Sequence, residues 1–343
     1  MQKLEALCRD LKEFLLERPD IVVTNHQNPD GDAVGSATAL SGVLMQLGFR
    51  VKIIMPNDYS SNLKWMSLSE EVIFYDQSQL EADQYITDAG LLIHLDYNNP
   101  SRSGAMENAI RQSSAKKLMI DHHQQPDNFC DWTYSDTSMS STCEMVWHFL
   151  AQMEWTELLD KNLAEALYTG IATDTGNFRF SSTSATTHRV AAHLLEKGVE
   201  NQKVASRVYD SNSISRFQLL GRALKGMEVI PELYTAIIHL NQEDLEECGF
   251  EKGDTEGFVN YGLSLEGTEI AAFVLPRDGM YKLSFRSKTT FDVNQFARAY
   301  FNGGGHKNAA GGSSERSMGE TISYLKECLY KHQAEIKEHA ENP

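Results

Sequence analysis

Three short apolar runs in the first half of this chain each stop at polar residues rich in acids and imidazoles. Ile21-Val22-Val23 gives way to a burst containing His26, Asp30 and Asp32. Leu91-Leu92-Ile93-His94-Leu95 is followed by Asp96, and Lys117-Leu118-Met119-Ile120 by Asp121-His122-His123. Short apolar runs bounded by polar residues read as strands buried on both faces. Shorter strand signals lie at 49–55 and 71–74. Helical patterns run over 33–48, 139–153, 158–171 and 186–198, and Pro56-Asn57-Asp58 reads as a turn. Strands alternating with helices imply an α/β, doubly wound, mainly parallel sheet. Ligands of such sheets bind at the carboxyl ends of the strands, so the acids and histidines converge on one crevice. Asp174 adds a lone acid after the small-residue helical segment Tyr168–Thr173.

Imidazole and carboxylate together suit Mn, Fe, Zn or Co better than Ca or Mg alone. Pro29 and Gly31 interleave Asp30 and Asp32, making a tight loop in which both carboxylates can point one way. The same residues also read as a plain strand-to-helix turn with Asp32 as helix cap. His94 reads as a buried strand histidine, and His148, His188 and His193 fall on helical patterns as structural residues. Asn98–Gly104 forms a polar loop in which Arg102 stands either as a phosphate clamp or in solvent.

The second half changes character. Residues 234–240, 269–275 and 281–286 are β-rich, and Arg277-Asp278-Gly279 joins the last two as a hairpin. Helical stretches at 241–248, 255–265 and 292–301 intervene, and a final helix from Glu320 frays toward the terminus. The reading is a first domain over 1–190, a helical connector over 191–225 interrupted at Gly221, and a smaller α+β domain with a mixed sheet over 226–343. Gly303-Gly304-Gly305 reads either as a plain turn or as a loop whose backbone can approach a ligand closely and whose amides can bind oxyanions. Arg286, within Ser284-Phe285-Arg286-Ser287, suits bidentate binding of a phosphate or carboxylate.

With 31 Lys and Arg against 48 Asp and Glu, the net charge is −17. That opposes wide binding along duplex DNA, which needs a basic surface. No apolar run approaches the ~20 residues that span a bilayer, so no membrane partner is expected. The charged, amphipathic N-terminus, which Pro19 helps end, is not a secretory signal. Five scattered cysteines with no C-x-x-C pair argue against a disulfide scaffold or thiolate zinc, and for a cytoplasmic setting.

Taken together, His26, Asp30 and Asp32, then Asp96, Asp121-His122-His123, Asp174 and Gly303-Gly304-Gly305-His306 with Ala309-Ala310-Gly311 resemble the ordered motifs of the DHH phosphoesterase superfamily with its C-terminal DHH-associated domain. The likeness runs over roughly residues 20 to 330. It is nearest to the stand-alone two-domain members, the nanoRNase/pAp phosphatases and the cyclic-dinucleotide phosphodiesterases. The resemblance implies two divalent cations, Mn²⁺ with Co²⁺ or Mg²⁺ as substitutes. His26, Asp30 and Asp96 would hold one, and Asp32, Asp96, His122 and Asp174 the other, with Asp96 as bridge. His123 would contact the phosphate or protonate the leaving oxygen, and Asp121 would orient a histidine. Arg102, Arg286, Ser287, Gly303, Gly304, Gly305 and His306 would bind substrate, which would lie between the domains. The implied substrates are short single-stranded RNA and 3′-phosphoadenosine-5′-phosphate (pAp), or alternatively a cyclic dinucleotide. A homodimer is allowed by this reading.

Overall fold

The apolar runs become strands because two cores claim their alternate residues. Ile21, Val23, Leu91, Ile93, Leu118 and Ile120 serve one apolar cluster, while Val22, Ile54 and Leu92 serve a second. The computed structural model describes residues 2–210, 212–251, 253–277, 279–288 and 290–341. The chain divides into two compact units, Met1–Ser211 and Asn212–Pro343.

The first unit runs α1 (Gln2–Leu15), β1 (Ile21–Thr24), α2 (Gly31–Gln46), β2 (Val51–Met55), β3 (Val72–Phe74), α3 (Gln79–Asp88), β4 (Leu91–Leu95), α4 (Glu107–Gln112), β5 (Lys116–Asp121), β6 (Trp132–Ser135), α5 (Thr142–Met153), α6 (Lys161–Asp174), α7 (Ala185–Glu196) and α8 (Asn201–Tyr209). Among the described residues its strands pair in the order β3-β2-β1-β4-β5-β6, every neighbour parallel. Helices α1, α2, α5 and α6 pack on one face and α3 and α4 on the other. The strand order reverses between β1 and β4. Loops leaving those two strands diverge there and open the crevice where doubly wound proteins bind ligands.

Helices α2 and α6 lie close because glycines line their contact. A Cβ added at Gly35 would meet the Ala166 carbonyl oxygen at 2.4 Å, and one at Gly170 would meet Cys143 Sγ at 2.2 Å. This approach brings the end of α6, with Asp174, beside the start of α2.

The second unit runs α9 (Ile214–Lys225), β7 (Glu228–Ile230), β8 (Thr235–His239), α10 (Gln242–Cys248), α11 (Phe258–Leu263), β9 (Ile270–Arg277), β10 (Met280–Ser287), α12 (Val293–Tyr300), β11 (Gly304–His306), β12 (Ala309–Ser314), α13 (Met318–Lys331) and α14 (Gln333–Glu341). Its sheet, ordered β11-β12-β10-β9-β8-β7, is mixed: β8 and β9 are parallel and the other neighbours antiparallel. This is the smaller α+β unit expected. Of the hairpin turn between β9 and β10, Asp278 lies outside the described residues.

Several local expectations are corrected. The stretch 191–225 is shared between the units, α8 ending in the first and α9 opening the second. Gly221 does not interrupt it: α9 continues through that position, where an added Cβ would meet nothing within 4 Å. The interruption falls between Tyr209 and Ile214, where the Ser213 hydroxyl caps α9 by accepting from the Arg216 amide. The tail forms two helices, and the second is docked through buried Ile336. The glycines at 304–305 lie in a strand, not a loop, paired to Ala310 and Gly311. A side chain at Gly303 would strike the Gly311 carbonyl oxygen at 2.0 Å, so glycine allows the backbones to approach.

Candidate metal centre

Each expected ligand of the first unit sits where a strand or helix stops. Asp30, not Asp32, caps α2: its Oδ1 accepts from the amides of Asp32 and Ala33, each at 3.1 Å. Asp32 lies in the first turn, 1% exposed. Asp96 follows β4 in a left-handed backbone conformation, φ 63°, and this turn carries its carboxylate into the crevice. Asp121 is the last residue of β5, with His122 and His123 just beyond. Asp174 ends α6.

These residues form two groups that meet at Asp96. Ligand atoms of His26, Asp30 and Asp96 lie within 4.8 Å of one another, as do those of Asp32, His122 and Asp174. Asp96 presents one oxygen to each group: Oδ2 is 3.3 Å from His26 Nε2, and Oδ1 is 3.6 Å from His122 Nε2. His122 Nε2 also stands 3.3 Å from Asp174 and 3.7 Å from Asp32.

The histidines are held from behind. His26 Nδ1 lies 2.9 Å from the Gln27 carbonyl and His122 Nδ1 3.2 Å from the Met139 carbonyl. Carbonyls accept only, so each Nδ1 carries the proton and Nε2 faces the carboxylates. A neutral Nε2 lone pair against a carboxylate oxygen is repulsive unless a proton or a cation lies between them. Ligating histidines are commonly oriented in this way. The donor set therefore fits a divalent cation in each group.

The electrostatics agree. Burial pushes Asp32 well above its ordinary value, and the charges of Asp96 and Asp174 push it further. Asp96 is held well below the carboxylate range, against its own burial, by the surrounding imidazoles. Burial would lower His122, yet Asp174, Asp32 and Asp96 lift it to about 9. Without a cation these carboxylates are balanced by histidine protons, and divalent ions would replace those protons.

Two of the groups behind the ligands escape a reading of the sequence. The first turn of α5 binds Asp32 through two amides, Thr142 N at 2.6 Å and Cys143 N at 2.8 Å. The Thr142 hydroxyl donates to Asp96 Oδ1 at 3.0 Å. The visible signal was Ser141 with Glu144 three residues on, a helix-start pattern. Ser141 does cap α5, while the buried Glu144 carboxylate accepts from Ser140 and from the Thr187 hydroxyl.

Asp121 orients His123: its Oδ1 is 2.7 Å from His123 Nδ1, and its Oδ2 accepts from the His123 amide at 2.9 Å. Burial, then the charge of Asp96, pushes Asp121 up to about 6. Burial and the Arg102 guanidinium keep His123 well below its usual value. Arg102 thus lies within electrostatic reach of the site, and its carbonyl accepts from the Gln27 amide at 2.7 Å. His94 is fully buried, hydrogen-bonded to Tyr97, and lowered to about 3 by burial.

In the second unit, Arg286 and His306 both register with Ala309, from β10 and β11 respectively. Residues opposite one another share a face of the sheet, so the two side chains stand in one row with alanine between them. Ser287 is buried, donating its hydroxyl to the Phe291 carbonyl and accepting from Asn308 Nδ2, so it ties the end of β10 to the turn between β11 and β12.

A doubly wound sheet with two groups of imidazole and carboxylate side chains meeting at one aspartate at its switch point makes a candidate metal centre of the kind metal-dependent hydrolases use. Comparison with known proteins narrows this. Residues 20–171 match the DHH family, N-terminal domain, and residues 236–331 match the DHHA1 domain. The chain is 30% identical over 314 residues to the bifunctional oligoribonuclease and PAP phosphatase NrnA of Thermus thermophilus, covering 90% of this chain and 88% of that protein. It is 26% identical to the cyclic-di-AMP phosphodiesterase GdpP of Geobacillus thermodenitrificans, covering 96% of this chain but 50% of that protein. Among solved structures, an exopolyphosphatase-related protein from Bacteroides fragilis superposes with a TM-score of 0.93 at 35% identity, covering 97% of this chain and 98% of the other. The chain belongs to the DHH family of phosphoesterases and carries a DHHA1 domain. It is a metal-dependent hydrolytic enzyme. Among the described residues no helix is long and apolar enough to cross a membrane.

Proposed function

We propose that the chain hydrolyses short oligoribonucleotides and pAp, with two divalent cations held at the switch point. The observation that carries the chemistry is Asp96, whose two oxygens face separate ligand groups. The substrate class rests on the likeness to an oligoribonuclease and PAP phosphatase over nine-tenths of the chain.

His26, Asp30 and Asp96 would hold one cation, and Asp32, Asp96, His122 and Asp174 the other. Mixed imidazole and carboxylate ligation favours Mn²⁺, with Co²⁺ substituting and Mg²⁺ weaker. Divalent cations held there would neutralise phosphoryl charge and lower the pKa of a bound water for in-line attack on phosphorus. Asp121 fixes the ring of His123 through Nδ1, so Nε2 is the atom His123 would turn toward the phosphate or the leaving oxygen, and a proton must first reach it there before it can pass one on. Arg102 serves as a clamp for a terminal phosphate. In the second unit Arg286, His306 and the Gly303–Gly305 backbone serve the nucleotide. A charge of −17 offers little basic track for distant phosphates, which favours substrates of about two to five nucleotides over long RNA or duplex DNA.

A second reading, hydrolysis of a cyclic dinucleotide, draws on the likeness to the cyclic-di-AMP phosphodiesterase. The two separate in kcat/KM for pApA, pAp, cyclic di-AMP and a long RNA at one Mn²⁺ concentration. The first reading expects pApA and pAp to lead. A preference of about tenfold, or ~1.4 kcal/mol, for the cyclic compound would establish the second instead.

A further inference from the structure

We propose that the first turn of α5 is the element that sets the spacing of the two cation sites, and that Thr142 is the positioning residue of the bridge. The inference rests on the two-cation reading above and adds a residue outside the ligand set. One stretch of five residues, Met139–Cys143, touches three proposed ligands on three different segments: the first turn of α2 and the ends of β4 and β5. The Met139 carbonyl takes His122 Nδ1 at 3.2 Å, the Thr142 and Cys143 amides take both oxygens of Asp32, and the Thr142 hydroxyl donates to Asp96 Oδ1. Asp32, His122 and Asp96 therefore share one rigid reference, the capped start of a helix.

That reference is itself braced. Glu144, buried at 1% exposure, accepts from the Ser140 amide at 3.2 Å and the Ser140 hydroxyl on one side, and from the Thr187 hydroxyl of α7 at 2.9 Å on the other. Thr187 is part of the α7 capping box with Ser184. The turn is pinned between two capped helices and has little freedom to follow a displaced ligand.

Thr142 acts on Asp96 in a way the amides cannot. Asp32 is held at both oxygens by backbone amides, which no side-chain change short of proline removes. Asp96 has a left-handed backbone and one oxygen aimed at each group, and the Thr142 hydroxyl fixes the rotation of its carboxylate. Without that bond the carboxylate can turn, and one oxygen leaves the His122 group. The consequence is loss of the cation shared with Asp32 and Asp174 before the one shared with His26 and Asp30.

The test compares Thr142→Val, which keeps the shape and removes the hydroxyl, with Thr142→Ser, which keeps the hydroxyl. Thr142→Ala replaces the valine variant if a second methyl disturbs folding. Mn²⁺ binding is titrated by electron paramagnetic resonance and calorimetry at temperatures where circular dichroism shows each protein fully folded. The expected result is two classes of Mn²⁺ site in Thr142→Val, one near parental affinity and one weakened about 10–100-fold. Thr142→Ser restores both, and KM at saturating Mn²⁺ stays near the parental value. A folded Thr142→Val that binds both ions as the parent does overturns the proposal, as does a serine variant no better than valine. Asp96→Asn, run alongside, separates the two levels. If it loses Mn²⁺ and turnover while Thr142→Val is unaffected, only the role of Thr142 falls. If it keeps both, the two-cation reading falls with it.

Discussion

Gly170→Ala tests how tightly the packing of α2 against α6 specifies the position of Asp32, a proposed metal ligand. A Cβ at Gly170 would stand 2.2 Å from Cys143 Sγ, 2.9 Å from Asp32 Oδ1 and 3.0 Å from Asp32 Cα. None of these can swing away: Cys143 is fully buried, and Asp32 is bound by two amides. Either the helices part or Asp32 turns. Overpacking a core costs roughly 1–3 kcal/mol, while alanine in place of a helical glycine returns about 1 kcal/mol. The net loss is roughly 0–2 kcal/mol, a fall of roughly 0–8 °C in Tm for a unit of this size. Mn²⁺ affinity should suffer more, by about 10–100-fold, because the displaced atom belongs to a ligand. Differential scanning calorimetry and Mn²⁺ titration on one preparation measure both. Gly221→Ala is the control: its Cβ meets nothing within 4 Å, so it should gain about 0.5–1 kcal/mol and leave Mn²⁺ binding alone. A Gly170→Ala protein that melts higher than the parent and binds Mn²⁺ equally well would show that this close approach does not place Asp32.

Further outcomes follow from the same geometry. Asp96→Asn should abolish turnover and lower the metal content found by elemental analysis, whereas Asp121→Asn, which loosens His123 from behind, should cost about 10–100-fold; parental activity with full metal content in Asp96→Asn contradicts the bridge. His122 is lifted to about 9, so its imidazole is protonated at pH 7, and a cation binds only the neutral ring. Mn²⁺ loading at pH 7 should therefore release protons, and affinity should rise with pH until about 9; calorimetry in two buffers of unlike ionisation heat counts them, and a count of zero refutes the linkage. Arg286→Ala and His306→Ala should reduce nucleotide turnover by roughly 10–150-fold while sparing a small chromogenic phosphodiester. Equal losses on both substrates would remove these residues from nucleotide recognition.

The strands that carry the site were legible because burial on both faces leaves continuous apolar runs, and because polar residues mark their ends. The same logic failed at β6, where Trp132-Thr133-Tyr134-Ser135 is a short, half-exposed edge strand with little apolar signal. It failed at α3 as well, whose ten residues bury only Ala82 and Ile86. Gly304 and Gly305 read as loop because glycine has no strand preference of its own. At Gly305 the backbone of β12 lies where a side chain would otherwise be, the Ala309 carbonyl oxygen standing 2.5 Å from an added Cβ, a tertiary cause that local sequence does not record. Thr142 was invisible for a similar reason: it acts on Asp96, 46 positions away. Ligand identity follows from residue type and position after a strand, but what holds a ligand from behind depends on which helix start the fold brings up to it.

The left-handed backbone at Asp96 also bears on how this position can vary over generations. Most L-residues pay about 1–2 kcal/mol to adopt that conformation, whereas glycine visits it routinely and asparagine and aspartate occasionally. Chemistry demands a carboxylate on a short arm, and the turn after β4 demands a residue at ease with φ 63°. Glutamate, which this chain holds at φ 63° at Glu154, keeps the charge but carries it on a longer arm. Asparagine and glycine meet only the demand of the backbone. Aspartate meets both with the shortest arm, so a replacement at this position would disturb either the turn after β4 or the proposed bridge.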